Sequence, residues 1–117
     1  MRVVDANVLL YAVNTDAQHH EPSREWLDRA LGGADRVALT WVALLAFTRL
    51  STKAGLFQRP LTVAEASTQV EDWISAPGAV LAHPAPGHAG RIEQLLSAIG
   101  AAGDLVNDAH LAAIAIE

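Results

Sequence analysis

Apolar residues in this chain occur in two patterns, short unbroken runs and longer stretches in which they return every three or four positions. Val3 and Val4 are a β-branched run of the first kind, as expected of a central parallel strand covered on both faces. Asp5 breaks the run, Asn7 follows, and Val8 to Tyr11 continues as an apolar helical turn. Asp5 therefore belongs at the carboxyl edge of a strand, with Asn7 near the start of a helix. Asn14 to Asp16 is a polar turn. An amphipathic helix follows from His20 to Leu31, with Pro22 in its first turn and Gly32 and Gly33 ending it. Arg36 to Thr40 reads as a second strand, so Thr40 also falls at a carboxyl end. Trp41 to Leu50 is apolar almost all round, the pattern of a buried helix.

Beyond a loop at Gly55 to Pro60, Thr62 and Glu65 stand at capping-box spacing before a helix that runs to about Ser75. Pro77 and Gly78 separate it from a third apolar run, Ala79 to Ala82. His88 to Ile99 and Asp104 to Glu117 give two further helical patterns, the last rich in alanine and still periodic at the final residue. Strands separated by helices in this way argue for βαβ units with a parallel sheet. The expected architecture is one α/β domain over residues 1–117, a three-layer α/β/α sandwich around a central parallel sheet.

Composition narrows the chemistry. With 51% hydrophobic and 18% charged residues, the 117-residue chain can build one core. It has no cysteine, which excludes disulfides and thiolate metal sites, so a bound metal has to use oxygen or imidazole ligands. A net charge of −5 and a pI near 5.4 exclude a broad basic face for nucleic acid. A divalent cation would reconcile such a chain with a phosphate substrate. There is no apolar span of about 18 residues, and the early Asp5 argues against a signal peptide. The sequence is read as that of a cytoplasmic protein without membrane association. Its mean hydropathy of +0.22 implies apolar surface covered by a partner.

Two acidic positions carry the chemical argument. Asp5 reads either as the N-cap of the helix it precedes or as a carboxylate presented where open α/β sheets bind ligands. Asp104, Asn107, Asp108 and His110 gather at the start of the last helix. Asp104 reads as the cap of that helix or as a carboxylate one turn from Asp108. Asp108 precedes Ala109, Ala112, Ala113 and Ala115, small residues that let a helix pack closely, and an acid at the buried start of such a helix calls for a partner. Asp5 and Asp108 brought together would raise one another's pKa unless a cation lay between them. Mg²⁺ or Mn²⁺ meets that demand with oxygen ligands.

Val-Asp-Ala-Asn-Val-Leu at Val4 to Leu9, Trp-Val-Ala-Leu-Leu-Ala-Phe-Thr-Arg-Leu at Trp41 to Leu50 and Gly-Asp-Leu-Val-Asn-Asp-Ala-His-Leu-Ala-Ala at Gly103 to Ala113 together resemble the PIN-domain ribonuclease toxins of the VapC type, in type II toxin-antitoxin systems. The resemblance covers essentially the whole chain and is closest to the actinobacterial branch. It implies an endoribonuclease dependent on Mg²⁺ or Mn²⁺, usually a homodimer and usually neutralised by a co-expressed antitoxin protein. By that likeness Asp5 and Asp108 match the first and third acids of the family's metal site, and Asn7 its supporting polar residue. Arg49 and Lys53 then read as contacts to the RNA backbone or as solvated cations at a helix end. His110 reads as a donor near the phosphate or as a hydrogen-bonded histidine. His19, His20, His83 and His88 lack ligand spacing.

The chain departs from the family pattern in two places. Ala46 stands where the family often carries a glutamate, and the family continues past the last helix into a further strand with another aspartate. The domain is therefore expected to be C-terminally incomplete, with its last strand missing. These departures favour the alternative, a catalytically impaired PIN-like module that acts by binding a partner protein. A Rossmann-type nucleotide binder ranks lower, because no glycine-rich loop follows the first strand.

Overall fold

A computed structural model describes residues 2–100, 103 and 106–116. The chain forms two compact units, Met1–Leu81 and Ala82–Glu117. In the first, β1 (Arg2–Val3), α1 (Ala6–Val13), α2 (His20–Arg29), β2 (Val37–Leu39), α3 (Trp41–Thr52), α4 (Val63–Ile74) and β3 (Ala79–Leu81) follow one another. The second holds α5 (His88–Ile99) and α6 (Val106–Ile116). No helix among the described residues is long and apolar enough to cross a membrane.

The sheet is parallel, in the order β1-β2-β3, with Val3 opposite Ala38 and Ala38 opposite Val80. β2 is central, and Val37, Ala38 and Leu39 are all buried. Its neighbours satisfy it on both sides: the Val4 N–H donates to the Ala38 carbonyl at 3.2 Å, and the Val37 N–H to that of Gly78 at 2.8 Å. Leu9, Leu27, Leu39, Leu44 and Phe47 fill the core, and the Phe47 and Trp73 rings meet edge to face at 4.8 Å between centroids. His20, also buried, donates from Nδ1 to the Tyr11 carbonyl at 2.8 Å and so ties α2 to α1.

Helix starts follow local chemistry. Thr62 and Glu65 form the expected capping box, with the Thr62 N–H donating to Glu65 Oε1 at 3.0 Å and the Glu65 N–H to the Thr62 hydroxyl oxygen at 3.1 Å. The bond from the Thr62 backbone is the main reason the Glu65 carboxyl is held below its ordinary value. The Thr62 side chain and the Arg59 charge act in the same direction, against a small opposing effect of burial. α5 covers the expected span, entered through Gly87 at φ 84° and left through Gly100 at φ 63°.

Two expectations need correction. α3 is not buried all round: Ala43, Leu44, Phe47 and Ser51 face the core, whereas Trp41 is 45% and Leu45 61% exposed. Its outer face is itself apolar, so composition could not distinguish the two sides. α2 ends at Arg29 and widens into a π-type turn over Ala30–Ala34, where Gly33 adopts φ 109°. The last helix is described from Val106, and its expected start at Asp104 lies outside the described residues.

The wide turn packs directly on Gly78. The Gly78 N–H donates to the Leu31 carbonyl at 2.8 Å, and a Cβ at residue 78 would clash with the Ala30 carbonyl oxygen and lie 2.7 Å from that of Asp35. Both obstacles are backbone, so Gly78→Ala should lower stability by about 2 kcal/mol, in the range of overpacked cores. Urea unfolding checks this, and Gly90→Ala, which meets open space, should cause no such loss.

Candidate functional site

Asp5 leaves the end of β1 in an extended conformation, φ −87° and ψ 168°, and its Oδ1 accepts the Val8 N–H at 3.1 Å. The cap reading is therefore correct, and it occupies only one carboxylate oxygen; among the described residues Oδ2 takes no hydrogen bond. Continuing the β1–β2 register sets Asp5 beside Thr40, on strands about 4.8 Å apart. Thr40 is 1% exposed, and its Oγ1 accepts the Ala43 N–H at 3.3 Å, which starts α3. Two adjacent strand ends thus turn into two helices, one capped by a carboxylate and one by a hydroxyl.

Asn7 is exposed in the first turn of α1. Arg49 is exposed in the last turn of α3, and Lys53 is exposed at its C-cap. Ala46 is half-buried on the same helix and brings no carboxylate. In the second unit, Asn107 and Asp108 are exposed in the first turn of α6. His110 is half-buried, its Nδ1 2.6 Å from His88 Nε2, with the two rings edge-on at 4.7 Å. One of these two nitrogens must carry the proton and the other accept it. Asp104 lies outside the described residues.

The expectation that burial forces a cation onto these acids is not met. Asp5 and Asp108 are both exposed, so water can solvate either charge and desolvation demands no counter-ion. Each still offers oxygen donors of the kind Mg²⁺ or Mn²⁺ prefers. Among the described residues no three His, Asp or Glu side chains converge on a common point. The His88–His110 pair escaped sequence reasoning, since nothing in the spacing of two histidines 22 positions apart signals it.

Two grooves flank α1. One, of about 580 Å³, runs past Arg2, Asp5, Tyr11, His19 and Trp26. The other, of about 480 Å³, lies between Asn7 and Tyr11 on α1, Asn14 at its C-cap, and Lys53 to Leu56 beyond α3. A larger cavity of about 870 Å³ between residues 13–16 and 57–65 contains none of the candidate residues.

A model of the PIN domain matches residues 2–117. The chain belongs to the PIN-domain family. It is 60% identical over 117 residues to Ribonuclease VapC37 of Mycobacterium tuberculosis, a match that covers all of this chain and 81% of that protein. Ribonuclease VapC33 of the same species is 37% identical over 117 residues, covering 100% and 82% of the two chains. Ribonuclease VapC31 is 37% identical over 116 residues, covering 99% and 82%. The three-stranded parallel sheet and its helices are consistent with an α/β PIN domain.

The capping role of Asp5 in this PIN domain can be tested by substitution. Asp5→Asn keeps an N-capping oxygen and should leave stability within about 0.5 kcal/mol, whereas Asp5→Ala removes the cap and should cost about 1 kcal/mol. Thermal unfolding of the two variants measures the difference. Equal stabilities would mean that the Asp5–Val8 bond contributes nothing.

Proposed function

We propose that this chain is an endoribonuclease toxin of a toxin-antitoxin pair, which hydrolyses RNA phosphodiester bonds with the help of Mg²⁺ or Mn²⁺ and acts in the cytoplasm. The observation that carries the reading is the 60% identity to a ribonuclease over the full chain. The exposed carboxylate of Asp5 at the sheet edge supports it.

In this reading Asp5 and Asp108 hold the metal, with Asp104 as an additional carboxylate. A divalent ion bound there would lower the pKa of an attacking water and offset charge on the leaving oxygen. The Val8 N–H fixes Asp5 Oδ1, so Oδ2 is the oxygen offered to the ion. The carboxamides of Asn7 and Asn107 supply donors for phosphate or ribose oxygens, Thr40 fixes the turn beside Asp5, and Arg49 attracts the RNA backbone. His110 is held by His88 and steadies the first turns of α6. The cognate antitoxin and a second copy of this chain are the protein partners. Exposed Trp41 and Leu45, one turn apart on α3, support an apolar contact there.

A fluorogenic single-stranded RNA incubated with Mg²⁺, Mn²⁺ or EDTA tests the reading. Cleavage should require the metal and fall by roughly a hundredfold or more in Asp5→Asn and in Asp108→Asn. Cleavage indifferent to EDTA, or undiminished in both variants, would overturn it. The half-buried Ala46, where the family often has glutamate, favours a second reading as a partner-binding module. Tight binding of a protein partner without cleavage of any RNA would establish that one instead.

A further inference from the structure

We propose that the groove between α1 and the end of α3 binds one unpaired nucleotide of single-stranded RNA beside the scissile phosphate. Tyr11 lies against the base, Asn14 meets its polar edge, Asn7 meets the ribose or phosphate oxygens, and Lys53 meets the phosphate. This rests on the ribonuclease reading above and adds to it a place for the substrate.

Asn7 and Tyr11, one turn apart on α1, and Asn14 at its C-cap line one side of the groove, beginning two residues from Asp5. The volume of about 480 Å³ suits a single small ligand. Leu10 and Leu50 line it with apolar surface, and among the described residues Lys53 is the only charged one that lines it. Among the described residues Lys53 has no ion-pair partner, and exposed Arg49 precedes it by one turn. An aromatic face, amide donors and a cation on an apolar floor are the chemistry by which unpaired nucleotides are held.

The parts of this groove are set in advance. The Tyr11 ring packs edge-on against His19 at 5.6 Å, and the Tyr11 carbonyl accepts from His20 at 2.8 Å. Asn14 Oδ1 accepts the Asp16 N–H at 3.2 Å, so its NH₂ is the group offered to a base or ribose oxygen. The other two cavities suit a phosphate less well. The 870 Å³ cavity is lined by Asp16 and Glu65 against one Arg59, and the 580 Å³ groove sets Asp5 against Arg2. A duplex would keep its bases stacked away from Tyr11, so single strands are the fitting class.

Fluorescence anisotropy with a fluorescein-labelled, mixed-sequence single-stranded RNA in EDTA reads binding without cleavage. Lys53→Ala should raise Kd about three- to tenfold and reduce the slope of log Kd against log salt by about 1. Tyr11→Leu should weaken binding at least about fivefold. Arg24→Ala, which removes an equal charge from α2, should change neither. Lys53→Glu alters only an exposed side chain and keeps the test valid if Tyr11→Leu unfolds. Unchanged Kd and slope in both Lys53 variants would overturn the proposal, and Asp5-dependent cleavage persisting in those variants would leave the ribonuclease reading standing. A wild-type chain that neither binds nor cleaves RNA would overturn both. Loss of a protein partner in Lys53→Glu with RNA binding intact would assign the groove to that partner instead.

Discussion

β2 is buried along its whole length, and a buried strand must pair its backbone groups or lose the free energy of each unmade bond. β1 and β3 meet that demand from opposite sides, and their register brings the ends of β1 and β2 level. The first unit's chemistry depends on this alignment. Thr40 lies at the buried end of β2, where its oxygen has to find a donor, and the Ala43 N–H that it finds begins α3. Asp5, one strand across, solves the same problem for α1 with a carboxylate in place of a hydroxyl. The wide turn after α2 packs on Gly78, so the route into β2 is tied to the strand on its far side.

Where local chemistry decides an outcome, the sequence was readable. The Thr62–Glu65 box, the limits of α5 and the break at Asp5 all depend on residues within one turn of each other. Other features depend on distant parts of the chain. Trp41 and Leu45 look like core in a helix that is apolar on every side, and only the packing of Ala43, Leu44 and Phe47 shows which side faces inward. The exposure of Asp5 and Asp108 likewise depends on what surrounds each strand or helix end. Periodicity placed both acids at element boundaries without revealing how much water reaches them. The His88–His110 bond joins two helices whose sequences contain no trace of the pairing.

An acidic chain that acts on RNA cannot rely on a broad cationic face. With a net charge of −5, it needs its few cations where the strand must lie. Arg49 and Lys53 occupy the end of α3, where the helix dipole also favours positive charge. Asn7 in the first turn of α1 and Asn14 at its C-cap follow the acid at its start. Substrate contact and metal binding would then share one helix, with its N-cap serving the ion and its side serving the nucleotide. Family membership supplies the class of reaction, and the layout of α1 supplies a physical reason why this chain could position a substrate for it.

The central claim is that Asp5, which caps α1 through Oδ1, offers its Oδ2 to a divalent ion. Paramagnetic broadening by Mn²⁺ in a ¹⁵N-labelled sample addresses it without any substrate. The account predicts that substoichiometric Mn²⁺ broadens the amide resonances of Asp5 to Val8, and that Asp5→Asn abolishes the effect. Sharp Asp5 to Val8 resonances, or broadening that persists in Asp5→Asn, would contradict it.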